Sequence, residues 1–333
     1  MGKVIKLGVL LALLFAAMWF GGAFALKRGL AGWFEGRRDV GWVAEFSQVK
    51  SVGFPGRLET QILDLELADP STGLAWSAPD FAFYAPSWNP GRITAVWPRE
   101  QVIATPLGKI TLISREMQAA VTFNETTDLN LDQITFDLLE LALSSSLGWE
   151  SSLETGQLTL QQIEGPDFTY QVHFEAKGLV PASAFIKRFS HIALVGERIE
   201  GVTLDAVVRF NAPWDRFAVE NARPQITHIK LDLLTADWGE LALWLAGELE
   251  VDSAGVPEGQ ITVKARNWRE MVALAKEMGA VPEALESPMV SALSFLASLS
   301  GDKSTLDTPL TFRNGYIAFG PLPIGPAPNL TIR

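Results

Sequence analysis

The sequence predicts a β-rich α+β protein: an N-terminal transmembrane helix, then long curved antiparallel sheets carrying a few packed helices. Three observations predict it. Residues 7–26 carry no charge. Beyond them, apolar and polar residues alternate at period two through most of the chain. Over residues 268–278 and 289–300 the period becomes that of an amphipathic helix.

The uncharged run follows Lys3 and Lys6 and is long enough, at about 1.5 Å per residue, for a hydrocarbon core of about 30 Å. Leu7, Leu11, Leu14, Trp19, Phe24 and Leu26 are its anchor residues. Two readings fit: an uncleaved anchor, or a secretory signal peptide with Ala23-Phe24-Ala25 as the small-x-small cleavage site. The anchor is preferred, because the apolar run outlasts an ordinary signal core and Leu30, Trp33 and Phe34 extend it as an interfacial helix end. Either reading exports the remainder. Lys27, Arg28, Arg37 and Arg38 pull the other way under the positive-inside rule, but the basic start and the cleavage-like site form a joint pattern that outweighs them. The expected organisation is a membrane segment over residues 1–35, spanning the inner membrane once, and a periplasmic β-rich domain over 36–333, with halves 36–185 and 190–333.

At 333 residues the chain can bury a large core, and 48% of it is hydrophobic. A net charge of -11 argues against sequence-independent binding to nucleic acid, which relies on neutralising phosphates. With no cysteine, disulfides, thiol catalysis and Cys-based zinc sites are excluded.

The clearest element is a hairpin. Leu241, Leu243, Leu245, Gly247, Leu249 and Val251 share one strand face, and Ile261, Val263 and Ala265 resume it after a turn at residues 253–259. This register sets Glu248 opposite Lys264. Ala242, Trp244 and Ala246 make the second face apolar as well, which calls for a cover, and the following helix is the expected one.

Before the hairpin, Val40, Trp42, Ala44 and Phe46 open a strand that ends at Gly53-Phe54-Pro55-Gly56. Residues 57–67 switch apolar phase between Ile62 and Leu63, suggesting a bulge. Asp69-Pro70-Ser71-Thr72-Gly73 and Trp88-Asn89-Pro90-Gly91 are turns, with short strands holding Trp76, Phe81 and Phe83 between them. Further strands hold Ile93 and Trp97, Ile110 and Leu112, Ala119 and Val121, Phe136 and Leu138, Leu158 and Leu160, and Tyr170 and Val172. A short helix over 181–189 marks the boundary between halves, near residues 178–198, and strands resume at Leu204 and Ile229.

Asn267 and Glu270 have capping-box spacing ahead of a stripe of Trp268, Met271, Ala275 and Met278. Val281-Pro282 ends that helix. Ser287-Pro288 starts a second, striped by Met289, Leu293, Leu296 and Ser300, which Gly301 stops. Asn314-Gly315 is the strongest hairpin signal. Pro321, Pro323, Pro326 and Pro328 make the tail an extended arm.

No catalytic constellation is present, so no enzyme and no cofactor are expected. Asp128, Asn130 and Asp132 have the spacing that opens a calcium loop, but Gln133 replaces the turn glycine and Leu139 the closing glutamate, so they read as the polar face of a strand. His173, His191 and His228 are far apart in sequence and read as surface or satisfied strand positions. Ser47 and Lys50, and Ser300 and Lys303, match a bare Ser-x-x-Lys spacing without the helix that acyl transfer needs. Trp76, Trp88 and Trp97 suit core and turn packing, with an aromatic ligand lining as the alternative.

Gly53-Phe54-Pro55, Trp76-Ser77-Ala78-Pro79, Trp88-Asn89-Pro90, Ala95-Val96-Trp97-Pro98, Trp238-Gly239 and Leu310-Thr311-Phe312-Arg313-Asn314-Gly315 with Gly320-Pro321-Leu322-Pro323 resemble the bacterial domain-of-unknown-function family 2125. The resemblance implies an N-terminal membrane segment and carries over no catalytic residue. The C-terminal half is also distantly similar to AsmA-like envelope proteins, which implies elongated sheets with an apolar concave face and a part in envelope lipid homeostasis. The expected function is therefore that of a membrane-anchored envelope protein that binds or shields membrane lipid, or another apolar ligand, on the face of Leu241, Leu243, Leu245, Leu249, Val251, Ile261 and Val263. The alternative is an envelope scaffold whose sheet edge or Pro-rich tail docks a partner protein.

Overall fold

The computed structural model describes residues 2–124, 128–189, 192, 194–218, 223–279, 283–299, 302–319 and 322–332. It is strand-rich and antiparallel, with a long apolar helix at the N-terminus. The chain forms two compact units, Met1–Thr122 with Leu138–Gly148, and Phe123–Asp137 with Trp149–Arg333. Residues 178–198, the expected meeting point of two halves, lie inside the second unit.

In the first unit one helix, α1 (Gly2–Asp39), continues well past the uncharged run. Strands β1 (Val43–Glu45) and β2 (Gln48–Val52) lie end to end along β3 (Arg57–Asp69) in a single register. β3 pairs with β4 (Leu74–Pro86), which pairs with β5 (Arg92–Val96) toward one end and β6 (Glu100–Thr105) toward the other. Both then pair with β7 (Gly108–Phe123). The expected short strands around Trp76, Phe81 and Phe83 are thus one strand, β4. The two runs at 110–112 and 119–121 are one as well, β7, because β6 and β5 pair with its two ends and the link between them bonds the polar stretch in the middle: the Ser114 N–H donates to the Arg99 carbonyl and the Trp97 N–H to the Met117 carbonyl.

The phase switch in β3 is real but is not a bulge. Leu63 pairs with Asp80 and Leu65 with Ala78, so no residue is inserted. Asp64 instead adopts a left-handed φ of 51° and accepts a 2.6 Å hydrogen bond from the Ser47 hydroxyl. Ile62 and Leu65 consequently both reach the core, where they meet Ala44 and Phe34. Phe34 is 1% exposed and Leu30 packs beside it, so the expected interfacial end of the membrane segment is docked on the sheet. Arg37 lies over the rings of Trp33 and Trp42, and the Arg38 Nε donates to the Ala44 carbonyl at 2.8 Å.

Strand β8 (Leu131–Ser145) contributes residues to both units. It begins after Asp128 and Asn130, so only Asp132 of the calcium-like triplet stands on a strand. The second unit continues with β9 (Glu150–Gln162), β10 (Thr169–Leu179), α2 (Ser183–Arg188), β11 (Ile199–Phe210), β12 (Ile226–Trp238), β13 (Leu241–Val251) and β14 (Pro257–Arg266). After α3 (Trp268–Glu277) and α4 (Glu283–Leu299) come β15 (Thr305–Arg313), β16 (Tyr316–Phe319) and β17 (Leu322–Pro326). From β9 to β17 each strand pairs antiparallel with the next, a meander into which α3 and α4 are inserted between two neighbours.

The β13–β14 hairpin is tighter than expected. The Asp252 carboxylate accepts the N–H groups of Ala254 and Val256, each at 2.9 Å, which closes the turn over 252–256 and pairs Val251 with Pro257. Glu248 therefore opposes Gln260, and Lys264 opposes Trp244, with its ammonium 5.9 Å from the ring centre.

Three expectations about the helices are also corrected. Asn267 is left-handed and makes no side-chain cap; its amide donates to the Glu240 carbonyl at 2.8 Å, so the capping box with Glu270 is not formed. α4 starts at Glu283 with Pro288 inside it, not at Ser287-Pro288. Its buried stripe is Met289, Leu293 and Ala297, four residues apart. His191, Val281-Pro282, Ser300-Gly301, Gly320-Pro321 and the side chains of Leu7 and Leu296 lie outside the described residues.

Asn314-Gly315 does join β15 to β16, with φ of 52° and 75°. The arm that follows is partly a strand: β17 pairs with β16 from the outside of the meander, where prolines are tolerated. Asn329 then donates to the Ala254 carbonyl at 2.7 Å, and Gln225 exchanges two hydrogen bonds with the Ile332 backbone, so the tail is tied to its own sheet.

Candidate functional site

The leucine face of β13 and β14 is the floor of a cavity of about 370 Å³, within the range of small-molecule sites. Leu241, Leu243, Val263 and Ala265 form the middle of the floor, Ala236 and Trp238 of β12 extend it on one side, and Leu306 of β15 on the other. Met271, Val272 and Ala275 of α3 and Met289 and Leu293 of α4 form the roof. All seventeen lining residues are apolar, so nothing in the wall would reward a polar ligand for losing water. Three of the chain's six methionines, Met271, Met278 and Met289, line it, giving a wall of flexible thioethers that adapts to the shape of its contents. Met278 is also 52% exposed, so the cavity reaches the surface there.

Polar anchors around the cavity hold the roof in place without entering it. The Trp268 indole N–H donates to the Lys303 carbonyl at 3.2 Å, leaving the ring, 1% exposed, to pack on Ala265, Met289 and Leu306. Arg269 ties α3 to α4 through the Ser294 hydroxyl at 3.0 Å, and Lys276 reaches Glu286 at 2.6 Å. On the floor, the Trp238 indole donates to the Gly196 carbonyl at 2.7 Å. Both indole donors are thus satisfied away from the cavity.

The apolar face read from the sequence divides in two. Leu241, Leu243 and Val263 line the cavity. Leu245, Leu249 and Ile261 pack with Phe312, Ile229 and Leu310 in a core of their own, and Val251 is buried near the turn. The helices cover this leucine face and not the face of Ala242, Trp244 and Ala246, as had been expected, because Val263, Ala265 and Leu306 widen the leucine face into the larger apolar surface. Ala236, Phe319 and Ile324 also belong to the lining. Only the pairing of their strands brings them in, and no local pattern marks them. Of the anchor residues, Leu11, Leu14 and Phe24 are exposed, Leu26 is half-buried and Trp19 is buried.

The polar candidates are structural pairs between strands. His228 is held between Glu248, 3.0 Å from Nε2, and Glu250, 2.8 Å from Nδ1. His173 Nδ1 lies 2.7 Å from Asp205 across β10 and β11. Among the described residues no group of three or more His, Cys, Asp or Glu is placed to hold a metal ion. Trp76 and Trp97 pack edge-on against Phe81, whereas Trp88 is exposed on its turn.

A family described as "Uncharacterized protein conserved in bacteria (DUF2125)" matches residues 19–328. The chain belongs to DUF2125. No curated protein and no solved structure matches it significantly. The DUF2125 match starts in α1 at Trp19, whose indole donates to the Arg57 carbonyl at 3.0 Å, and it contains every residue that lines the cavity.

Proposed function

We propose that this DUF2125 protein is an inner-membrane-anchored, periplasm-facing protein that shelters an apolar ligand, such as a lipid acyl chain, in the cavity between α3, α4 and the floor of β12 to β15. The observation that carries the reading is a wall of seventeen apolar residues with a mouth at Met278. Burying an acyl chain there yields the non-directional gain of removing apolar surface from water, with no directional recognition in the wall. Retention of α1 as the anchor is supported by the burial of Trp19 and Ala23 against the first unit. Of the basic residues that would keep this side cytoplasmic, Lys27 and Arg28 are exposed, whereas Arg37 and Arg38 are occupied by Trp33, Trp42 and the Ala44 carbonyl and sit at a helix C-terminus, where cations are favoured.

Two experiments test this. Mass spectrometry of lipid extracted from the purified protein, with uptake of a fluorescent fatty acid, reads the cavity: uptake should be saturable and should fall several-fold in Ala275→Phe, which fills the roof from α3. Neither co-purifying lipid nor uptake, or equal uptake by Ala275→Phe, overturns the ligand reading. A reporter enzyme fused to the C-terminus should be active outside the cytoplasm, and activity confined to the cytoplasm overturns the topology.

The second reading, a scaffold for a partner protein, is favoured by the exposed Leu107 and Leu147 on turns of the first unit and Leu74 at the start of β4, where Gly73 approaches Pro106 and Gly108 approaches Leu147. Crosslinking from position 107 to one defined protein would support it over the first.

A further inference from the structure

The anchor helix is too long for the membrane alone. Its 38 residues extend about 57 Å, nearly twice a hydrocarbon core of about 30 Å. The side chains of Trp19, Ala23 and Phe34 are buried against the first unit, and Gly22 lies next to Leu58, so the C-terminal half of α1 is committed to the sheet. What remains for the bilayer is the stretch before Trp19, about 26 Å of helix, of which the uncharged part from Leu7 to Met18 is about 18 Å and Lys3 and Lys6 lie at the far end, where long basic stems reach to the headgroups. Trp19 then stands at the boundary between hydrocarbon and water, the level that tryptophan favours.

At this level α1 touches a loop. The Phe54 ring lies 5.4 Å from Trp19, 5.6 Å from Phe20 and 6.3 Å from Phe15, yet Phe54 is still 46% exposed. A second loop is bound to the first: the Ser87 hydroxyl donates to the Pro55 carbonyl at 2.8 Å and the Ser87 N–H to the Gly56 carbonyl at 3.2 Å. It carries Trp88, 80% exposed. Arg57 and Arg92 follow the two loops; the Arg57 guanidinium stacks over Tyr84 and pairs with Glu59, and Arg92 is exposed. Exposed aromatic rings beside arginines suit the zone between acyl chains and phosphates. From Trp19 beside Arg57 to Phe34 beside Leu65, α1 runs along β3 away from these loops, so the sheet's opposite end, with Leu107, points away from the bilayer.

We propose that the loops of residues 53–56 and 87–91 are a second membrane contact, with Phe54 and Trp88 seated in the lipid interface beside the anchor. The occupant is the lipid surface that α1 spans, because Phe54 is in ring contact with the helix where it leaves the bilayer. This rests on the reading of α1 as a retained anchor and is independent of the cavity.

Because the chain has no cysteine, Phe54→Cys, Trp88→Cys and Leu107→Cys each give one thiol for an environment-sensitive fluorophore. The labelled full chains are reconstituted into phosphatidylethanolamine–phosphatidylglycerol vesicles. Labels at 54 and 88 are expected to emit at shorter wavelength than at 107, to be quenched several-fold more by lipid spin-labelled near the headgroup, and to be shielded from aqueous iodide. Trp88→Cys suffices if Phe54→Cys does not fold. A label at 88 as open to iodide as that at 107 overturns the proposal. So does one shielded from iodide but not quenched by lipid, which would place a protein there. Intact mass separates the premises: a mature chain lacking residues 1–25 removes the anchor, whereas a full-length chain with an iodide-accessible label refutes the loop contact alone.

Discussion

Single side chains show how a local signal can be right in kind and wrong in partner. Lys264 is expected from the sequence to face Glu248, and it stacks over Trp244 because the Asp252 carboxylate closes the turn at Val256, three residues sooner. Tyr170 is a sharper case. Burial, with a smaller contribution from Asp132, pushes its phenol up to about 12 from 10, and its hydroxyl donates to the Leu131 carbonyl at 3.0 Å. Below pH 10 the folded and unfolded chains both hold the proton. Between about 10 and 12 only the fold does, so stability falls as pH rises through that window. One of the three tyrosines should titrate about two units late in absorbance at 295 nm, and the late step should vanish in Tyr170→Phe. Gly247 tests a backbone requirement. A Cβ there would lie 2.2 Å from the Gln260 carbonyl oxygen of the facing strand. Gly247→Ala should cost about 1–3 kcal/mol in urea denaturation, and a neutral result would mean that the strands part freely at this point.

Among the elements, strands were more legible than their limits. Alternation of apolar and polar residues located β3, β4, β10, β11 and β13. It split β4 and β7 because β4 stays paired with β3 through residues that break the pattern, and β7 is held across its break by hydrogen bonds to Trp97 and Arg99. The helices were found by their stripes, but which sheet face they cover was not, since both faces of β13 are apolar and only neighbouring strands decide which is wider. Leu293, 1% exposed, is the centre of that packing. Leu293→Ala should lower stability by about 2–5 kcal/mol, read by thermal or urea unfolding. A cost well below that range would mean that the roof is loosely seated and contributes little to the fold.

For the whole molecule, charge and hydropathy act together. A net charge of -11 leaves little electrostatic attraction to an anionic bilayer, so membrane association should come from α1 and the aromatic loops. Flotation of the full chain with zwitterionic and anionic vesicles should give similar recoveries that persist at high salt, where electrostatic binding is screened. Recovery that depends on anionic lipid and collapses with salt would assign binding to basic residues instead. The candidate site was half legible. Leu241, Leu243 and Val263 stood out as a face, and Trp268, Met271, Ala275 and Met289 as stripes, but no local pattern says that the face and the stripes enclose a space.

From residue order alone came the apolar N-terminal helix, the antiparallel strand-rich class, the two C-terminal helices and the Asn314-Gly315 turn. Each is set by neighbours within a few positions, through side-chain period or backbone preference. Coordinates were needed for the register at Val251 and Pro257, the docking of Phe34 on β3, the tail bound to Gln225 and Ala254, and the cavity between sheet and helices. These depend on which distant surfaces exclude water most fully from one another, a competition among long-range contacts that no local window of sequence contains.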